Sequence, residues 1–149
     1  MNKEKVLAQL EELGFALEEA GEYGYFFRFE GLNVLYMPDD DDENFLRFAL
    51  PSIYDVTEEN KDLVLEVVNN TNMAIKYSKT CVFGDDVWVF YEYRLFGEDN
   101  LKGIIEHSMR LLQATFFLFH RKIEGDDSLP SEEDDDENGN DDESKEDVA

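Results

Sequence analysis

Few side chains in this sequence could act as nucleophiles or general bases: two histidines and one cysteine, His107, His120 and Cys81. The histidines lie 13 residues apart on one predicted helix. That spacing puts them about 140° apart around the axis and roughly three and a half turns apart along it, so they cannot share a site. Cys81 precedes Val82 and Phe83 in a predicted strand, which is typical of a small buried hydrophobic side chain rather than a reactive thiolate. We therefore predict no catalytic residue and no cofactor.

The acidic run Asp39–Glu43 is the part of the chain that comes closest to a metal-binding motif. An EF-hand loop needs a glycine at its sixth position and a glutamate at its twelfth. Counted from Asp39, those positions hold Asn44 and Leu50. The run therefore predicts a solvated loop between two strands, with only weak, unspecific divalent binding left open. No set of Cys and His residues could hold zinc, so we predict no metal site.

The spacing of the apolar residues predicts eight elements in the order α-β-β-β-α-β-β-α. Pro51 is expected to stop the third strand, and the Asn69–Asn72 run to break the second helix. Short turns between consecutive strands predict a five-stranded antiparallel sheet with helices mainly on one face, which is an α+β fold. The expected helices are 3–13, from Thr57 to the asparagine run, and about 100–122; the expected strands are 25–30, 32–37, 44–50, 74–83 and 87–96.

Apolar stripes mark the buried faces of the second and third helices. In the second helix the stripe is Leu63, Val64, Val67 and Val68. In the third it is Leu101, Ile104, Ile105, Leu111, Leu112, Thr115, Phe116 and Phe119. Phe117 and Leu118 lie off that stripe, so this end of the helix is predicted to be either deeply buried or part of an interface.

The last 26 residues, 124–149, hold fourteen acids and one base. The whole chain carries a net charge of -24, so this segment contributes -13 and residues 1–123 contribute -11. So polar a segment cannot bury enough apolar surface to offset the entropy of ordering it. We predict one folded domain over 1–123 and a disordered acidic tail over 124–149. The tail could promote solubility, attract a basic partner, shield a client, or lie on the basic residues of its own domain.

The overall acidity argues against binding to nucleic acid, because an acidic surface repels phosphates. It favours a protein partner, a basic one in particular. A single cysteine allows no intrachain disulfide, which is typical of a reducing, cytoplasmic setting. The charged amino-terminal segment contains no signal-peptide core. Apolar runs such as Phe116–Phe119 are far shorter than the roughly 20 residues of a membrane span, so no membrane association is expected.

The order of the elements and several local features resemble the YbjN-like family, whose fold is that of type III secretion chaperones. The features are the Phe27–Gly31 strand and turn, the acidic loop that leads to Phe45 and Pro51, the Asn69–Asn72 junction and the Trp88–Tyr93 strand. Together they cover most of residues 3–123 and contain no catalytic motif. The resemblance implies a bacterial, non-enzymatic domain, often dimeric, with an adaptor, chaperone or regulatory role. The acidic tail is not part of the family pattern.

The predicted strand over 87–96 has two different faces. Val87, Val89, Tyr91, Tyr93 and Leu95 form one face, and Trp88, Phe90, Glu92, Arg94 and Phe96 form the other. When helices cover one side of a sheet, the other side is open. Large aromatic side chains there indicate a partner surface or a dimer interface, unless another segment of the chain covers them. We predict Trp88, Phe90 and Phe117 as partner-binding residues.

Three functions are compatible with these observations. The first is a non-enzymatic interaction domain, a chaperone-like adaptor or regulator that binds another protein and forms a homodimer. The second is an enzyme whose carboxylates in a surface cleft perform acid–base chemistry, which would need two carboxylates facing one pocket. The third is an acidic mimic of nucleic acid that blocks a basic partner, which would need a regular double row of negative charges on the folded surface.

Overall fold

The computed structural model describes residues 2–125. It contains three helices and six strands in the order α1-β1-β2-β3-β4-α2-β5-β6-α3, with a short 3-10 turn at Gly21–Tyr23 between β1 and β2. The helices are α1 (Asn2–Glu12), α2 (Lys61–Ala74) and α3 (Leu101–Ile123). The strands are β1 (Glu18–Glu19), β2 (Tyr25–Phe29), β3 (Leu32–Tyr36), β4 (Phe45–Asp55), β5 (Ser78–Phe83) and β6 (Asp86–Arg94).

The six strands form one antiparallel sheet in the order β1-β2-β3-β4-β6-β5. The α+β class predicted from the sequence is therefore confirmed. The sheet has one strand more than the predicted five, because Glu18 and Glu19 pair with Phe26 and Tyr25 at the edge of β2. Two exposed glutamates carry no alternating apolar signal, so periodicity could not reveal this strand.

The main core lies between one face of the sheet and the helices. Val6 and Leu10 of α1 and Ile105, Met109 and Leu112 of α3 pack against one face of strands β2, β3, β4 and β6. Val64 and Val67 of α2 join Val87 and Phe119 in a second cluster on the same side. The strand residues of the main core are Phe27, Val34, Tyr36, Leu46, Phe48, Leu50, Val89 and Tyr91.

The third predicted strand does not stop at Pro51, because β4 continues through it to Asp55. The register against β6 shifts between Leu50 and Tyr54, so Pro51 lies in a bulge. Proline lacks the N–H that a regular ladder requires and fits where the ladder is interrupted. Ser52, the next residue, adopts a left-handed φ of 52° and bonds through its hydroxyl to Asp86 Oδ2 at 3.0 Å.

The Asn69–Asn72 run does not break α2, which continues to Ala74. Tertiary packing outweighs the low helix propensity of these residues. Thr71 is fully buried, and the side chain of Asn72 is bonded to β5. The helix also begins later than predicted, at Lys61, because Thr57 and Asn60 bond to each other in a preceding turn.

Helix α3 begins and ends within a residue of the predicted positions. Asn100 caps its first turn by accepting a hydrogen bond from the Gly103 N–H at 3.1 Å. Leu118, predicted to lie off the apolar stripe, is buried, whereas Phe117 is 54% exposed. The stripe predicted for α2 also needs a correction, since Leu63 is 47% exposed and the buried residues are Val64, Val67 and Thr71.

Candidate functional site

A row of apolar residues crosses the sheet on the side opposite the helices. Phe26, Leu35, Ala49 and Phe90 are successive cross-strand partners on β2, β3, β4 and β6. Leu35 and Ala49 are buried, and Phe90 is half-buried. These residues belong to a cluster to which no helix contributes, together with Ala20, Met37 and Trp88.

Four aromatic rings gather at one end of this row. Trp88 stacks on Phe90 with ring centroids 5.8 Å apart and meets the edge of Phe83 at 4.7 Å. Phe83 also lies 6.5 Å from Phe90. The ring centroids of Tyr23 and Trp88 are 5.9 Å apart. We call Tyr23, Phe83, Trp88 and Phe90 the aromatic face.

The 3-10 turn brings Tyr23 over the sheet, and Gly24 makes that approach feasible. Gly24 has a φ of 108°, in the region that favours glycine. A Cβ at this position would collide with the carbonyl oxygen of Tyr36 and press on the ring of Pro38. The absence of a side chain at Gly24 therefore allows the turn to pack against the end of β3.

The structure brings two of the three predicted site residues together. Trp88 and Phe90 lie on the helix-free side, as their alternation along β6 predicts, but Phe117 lies on the exposed surface of α3, on the other side of the sheet. Trp88 is only 7% exposed, because its own chain covers it. The most accessible rings of the aromatic face are Phe83, 47% exposed, and Tyr23, 41% exposed.

Sequence reasoning missed Phe83 and Tyr23 as site residues. Phe83 could have been found from the pairing of the hairpin. Cys81 is the cross-strand partner of Trp88, and Phe83, two residues after Cys81, lies on the same face of the sheet. Tyr23 gave no comparable signal, because its contact with Trp88 exists only once β2, β3, β4 and β6 have assembled.

Charged side chains surround the aromatic face. Lys79, the cross-strand partner of Phe90, forms an ion pair with Glu92 at 3.1 Å. Asp85 lies in the β5–β6 turn after Phe83, Asp86 begins β6, and Glu22 precedes Tyr23. An apolar centre with a charged rim is the usual anatomy of a protein–protein interface.

The predicted separation of the possible catalytic groups has a structural basis. Cys81 lies on the helix-free side beside Trp88, and burial raises the pKa of its thiol. His107 lies on the helix side of the sheet, where its Nδ1 is 3.1 Å from Tyr91 Oη. Burial lowers the pKa of His107, and the positive charge of Arg110 lowers it further. Both ring nitrogens of His120 are 3.0 Å from backbone carbonyl oxygens, those of Phe116 and Ile53. The sheet thus separates the thiol from both imidazoles.

The acidic loop after β3 lines a shallow cavity of about 90 Å³ with Lys3 and Tyr36. Within the loop, Asp39 and Asp42 accept hydrogen bonds from the backbone N–H groups of Asp41 and Asn44, at 2.8 and 3.1 Å. The cavity is smaller than the roughly 300 Å³ at which small-molecule sites begin. Among residues 2–125, no group of three His, Cys, Asp or Glu side chains is placed to hold a metal ion. None of the helices in this range is long and apolar enough to span a bilayer.

Comparison with known proteins identifies the fold. No protein-family model matches the sequence. No curated protein matches it either. The structure is similar to the crystal structure of YbjN from E. coli, which was described with that structure as a proposed transcription regulator. The two align with a TM-score of 0.61 over 81% of this chain and 91% of YbjN, at 10% sequence identity. The chain therefore has a YbjN-like fold, as the resemblance noted from the sequence predicted.

Proposed function

We propose that this chain is a non-enzymatic protein-binding domain, a chaperone-like adaptor or regulator that uses its aromatic face to bind another protein. We further propose that it forms a homodimer through this face. The observation that carries the proposal is the cluster of four aromatic rings on the side of the sheet that none of the helices within residues 2–125 covers. The YbjN-like fold supports a regulator role, because YbjN itself was described as a proposed transcription regulator.

The exposure of the rings sets the strength expected of such a dimer. Fully burying a large apolar side chain stabilises by roughly 1.5–3 kcal/mol. Phe83 and Tyr23 are about half exposed, so each would contribute roughly 1 kcal/mol per copy. Phe90 would add less. Association itself costs at least about 4 kcal/mol. The net gain is then a few kcal/mol at most, so we expect a weak dimer, with a dissociation constant in the millimolar range or above.

The absence of catalysis in this proposal is supported by the arrangement of the reactive groups. The thiol of Cys81 has a raised pKa and is separated by the sheet from both histidines. The enzyme alternative needs a cleft with two carboxylates, and the cavity at the acidic loop is too small for most substrates. Cys81 is a free thiol, which suits a reducing cytoplasm as the location.

Sedimentation equilibrium tests the proposal with two variants of the full chain. Phe83→Ser combined with Phe90→Ser removes two rings of the aromatic face but keeps Trp88, which is largely buried. Phe96→Ser is the matched control, because Phe96 is 74% exposed and packs with Arg94 rather than with the aromatic face. We expect the wild type and the control to dimerise as concentration rises into the millimolar range, and the double variant to stay monomeric with an unchanged circular dichroism spectrum.

A wild type that remains monomeric over this range would overturn the homodimer. The effect of salt distinguishes a second copy of the chain from a basic protein partner. A net charge of -24 on each copy opposes self-association, so added salt should strengthen the homodimer. Binding to a basic partner should instead weaken with salt. A double variant that dimerises like the wild type would show that another surface is used.

A further inference from the structure

The helix-free side of the sheet carries opposite charges at its two ends. At one end, Asp55 and Asp86 are cross-strand partners on β4 and β6. Their neighbours Tyr54 and Val87 pack on the helix side, so alternation along each strand directs both carboxylates to the helix-free side. Asp55 is exposed and Asp86 is half-buried. We call Asp55 and Asp86 the acidic end.

The other end carries two arginines that also lie on the helix-free side, because both alternate with residues of the main core. The guanidinium of Arg47 lies over the ring of Phe45, 5.1 Å from its centroid, and that of Arg94 lies over Phe96 at 5.2 Å. Phe45 and Arg94 are cross-strand partners, so the two guanidinium groups lie at the same end of the strands. We call Arg47 and Arg94 the basic end.

The acids near the basic end have other partners. Glu92, which is next to both arginines in the sheet, forms its ion pair with Lys79 at 3.1 Å. The carboxylate of Asp99 accepts two backbone N–H bonds in the turn after β6. The acidic loop 39–43 lies toward the helices, where it lines a cavity beside α1. On the helix-free side, this end of the sheet therefore keeps a positive charge.

The acidic end is unfavourable in an isolated chain. Two like charges directly opposite each other on neighbouring strands are destabilising. The Ser52 hydroxyl donates to Asp86 Oδ2 at 3.0 Å, but within residues 2–125 neither Asp55 nor Asp86 forms an ion pair. A cationic group from another molecule would relieve this repulsion.

The two ends lie at equal distances from Phe90 along β6. Asp86 precedes Phe90 by four residues and Arg94 follows it by four, which is about 13 Å in each direction at 3.3 Å per residue. We propose that two copies of the chain pack their helix-free sides together with antiparallel β6 strands, so that the acidic end of each copy meets the basic end of the other. This inference rests on the proposed homodimer and assigns its orientation and its charged contacts.

A two-fold axis that lies parallel to the sheet and crosses β6 at Phe90 produces this arrangement. It places Asp86 against the partner's Arg94, and Asp55 against the partner's Arg47. Sheets packed face to face lie about 10 Å apart and cross at up to about 30°, so these charges stay within the combined reach of an aspartate and an arginine side chain. A parallel packing of the β6 strands would instead bring acid against acid.

Charge reversal in the full chain tests the orientation by sedimentation equilibrium. Asp86→Arg changes the net charge from -24 to -22, so overall repulsion alone predicts stronger self-association. The proposed orientation predicts the opposite, because the new arginine would face the partner's Arg94. An exposed ion pair is worth up to about fivefold in affinity and the axis repeats the contact, so we expect dimerisation to weaken roughly tenfold. Glu66→Arg is the matched control, because it makes the same charge change at an exposed site on α2 and should not weaken the dimer.

Mixing two variants should restore the contacts. Arg94→Asp by itself should also weaken self-association, since two acids would face each other. In a mixture of Asp86→Arg with Arg94→Asp, both contacts join opposite charges, so the heterodimer should be roughly tenfold tighter than either variant with itself. The measurement is the chemical-shift change of isotope-labelled Asp86→Arg when unlabelled Arg94→Asp is added in the millimolar range, compared with added unlabelled Asp86→Arg. Asp55→Arg is a second charge reversal, for the case that Asp86→Arg alters the circular dichroism spectrum through the lost bond to Ser52.

Charge reversals that dimerise as well as the control, or a mixture no tighter than its components, would overturn the orientation. If Phe83→Ser with Phe90→Ser still abolishes that dimer, the proposed use of the aromatic face stands. A chain that stays monomeric both alone and in the mixture would overturn the homodimer together with its orientation. An oligolysine peptide that shifts the amide signals of Asp55 and Asp86 in such a monomer would assign the acidic end to a basic partner instead.

Discussion

Replacing Asn72 by alanine should destabilise the domain by unmasking the free edge of the sheet. Strand β5 is the last strand of the sheet, and the side chain of Asn72 takes the place of a further strand beside it. Its Nδ2 donates to the Thr80 carbonyl at 3.0 Å, and its Oδ1 accepts from the Thr80 N–H at 2.8 Å. The Oδ1 also accepts from the Thr80 hydroxyl at 3.0 Å.

The size of the effect follows from the burial of Thr80, which is 2% exposed. A buried polar group that loses its partner costs about 1–3 kcal/mol. Because Asn72 itself is exposed, water can replace part of the lost amide, and the total should stay within about 1–3 kcal/mol. For a domain of this size, each kcal/mol lowers the melting temperature by roughly 4 °C. We therefore expect a decrease of roughly 4–12 °C.

Thermal unfolding followed by circular dichroism measures this decrease, with Asn70→Ala as the matched control. Asn70 is an exposed residue of the same helix, and both substitutions gain the same helix propensity. The free energy of unfolding of the control should therefore differ from that of the wild type by no more than about 0.5 kcal/mol. The amide proton of Thr80 should exchange faster in the Asn72→Ala variant only. Equal melting temperatures for the two variants would refute the role of Asn72 at the sheet edge.

Three further predictions concern other parts of the chain. Cutting after Ile123 should change the melting temperature by less than about 5 °C, which calorimetry can check, and a larger decrease would show that the tail packs on the domain. Gly24→Ala should lower the free energy of unfolding by about 1–3 kcal/mol, through backbone strain and the collision with the Tyr36 carbonyl oxygen. As the turn opens, the fluorescence of Trp88 should shift to the red, and unchanged emission would contradict the role of the turn. The lowered pKa of His107 means that the unfolded chain binds a proton first as pH falls below about 6.5. The stability of the wild type relative to His107→Gln should therefore fall between pH 7 and pH 5 in urea titrations, and a constant difference would exclude this linkage.

The sequence was a good guide where local periodicity and tertiary packing agree. Helix α3 and the β5–β6 hairpin could be located because their apolar residues follow the periods of a helix and a strand. Pro51 and the Asn69–Asn72 run were misleading, because a bulge accommodates the proline and Thr80 provides the partner for Asn72. Those compensating contacts join distant segments and have no local signature.

The sequence predicted part of the candidate site. Alternation along β6 was enough to place Trp88 and Phe90 on the helix-free side. It could not show that Trp88 is covered, because the cover comes from Tyr23, and Gly24 gives its turn the space to pack. Phe117 is 54% exposed, but its position on α3 separates it from the other two.

The reactivity of Cys81 tests most directly whether the aromatic face is the binding surface. Cys81 is the cross-strand partner of Trp88, is partly exposed, and is the one cysteine of the chain. We predict that its alkylation by iodoacetamide slows as the wild type is concentrated from the micromolar into the millimolar range. In the Phe83→Ser/Phe90→Ser variant the rate should not depend on concentration. A rate constant that stays the same in the wild type, at concentrations where sedimentation detects a dimer, would contradict the assignment of the interface to this face.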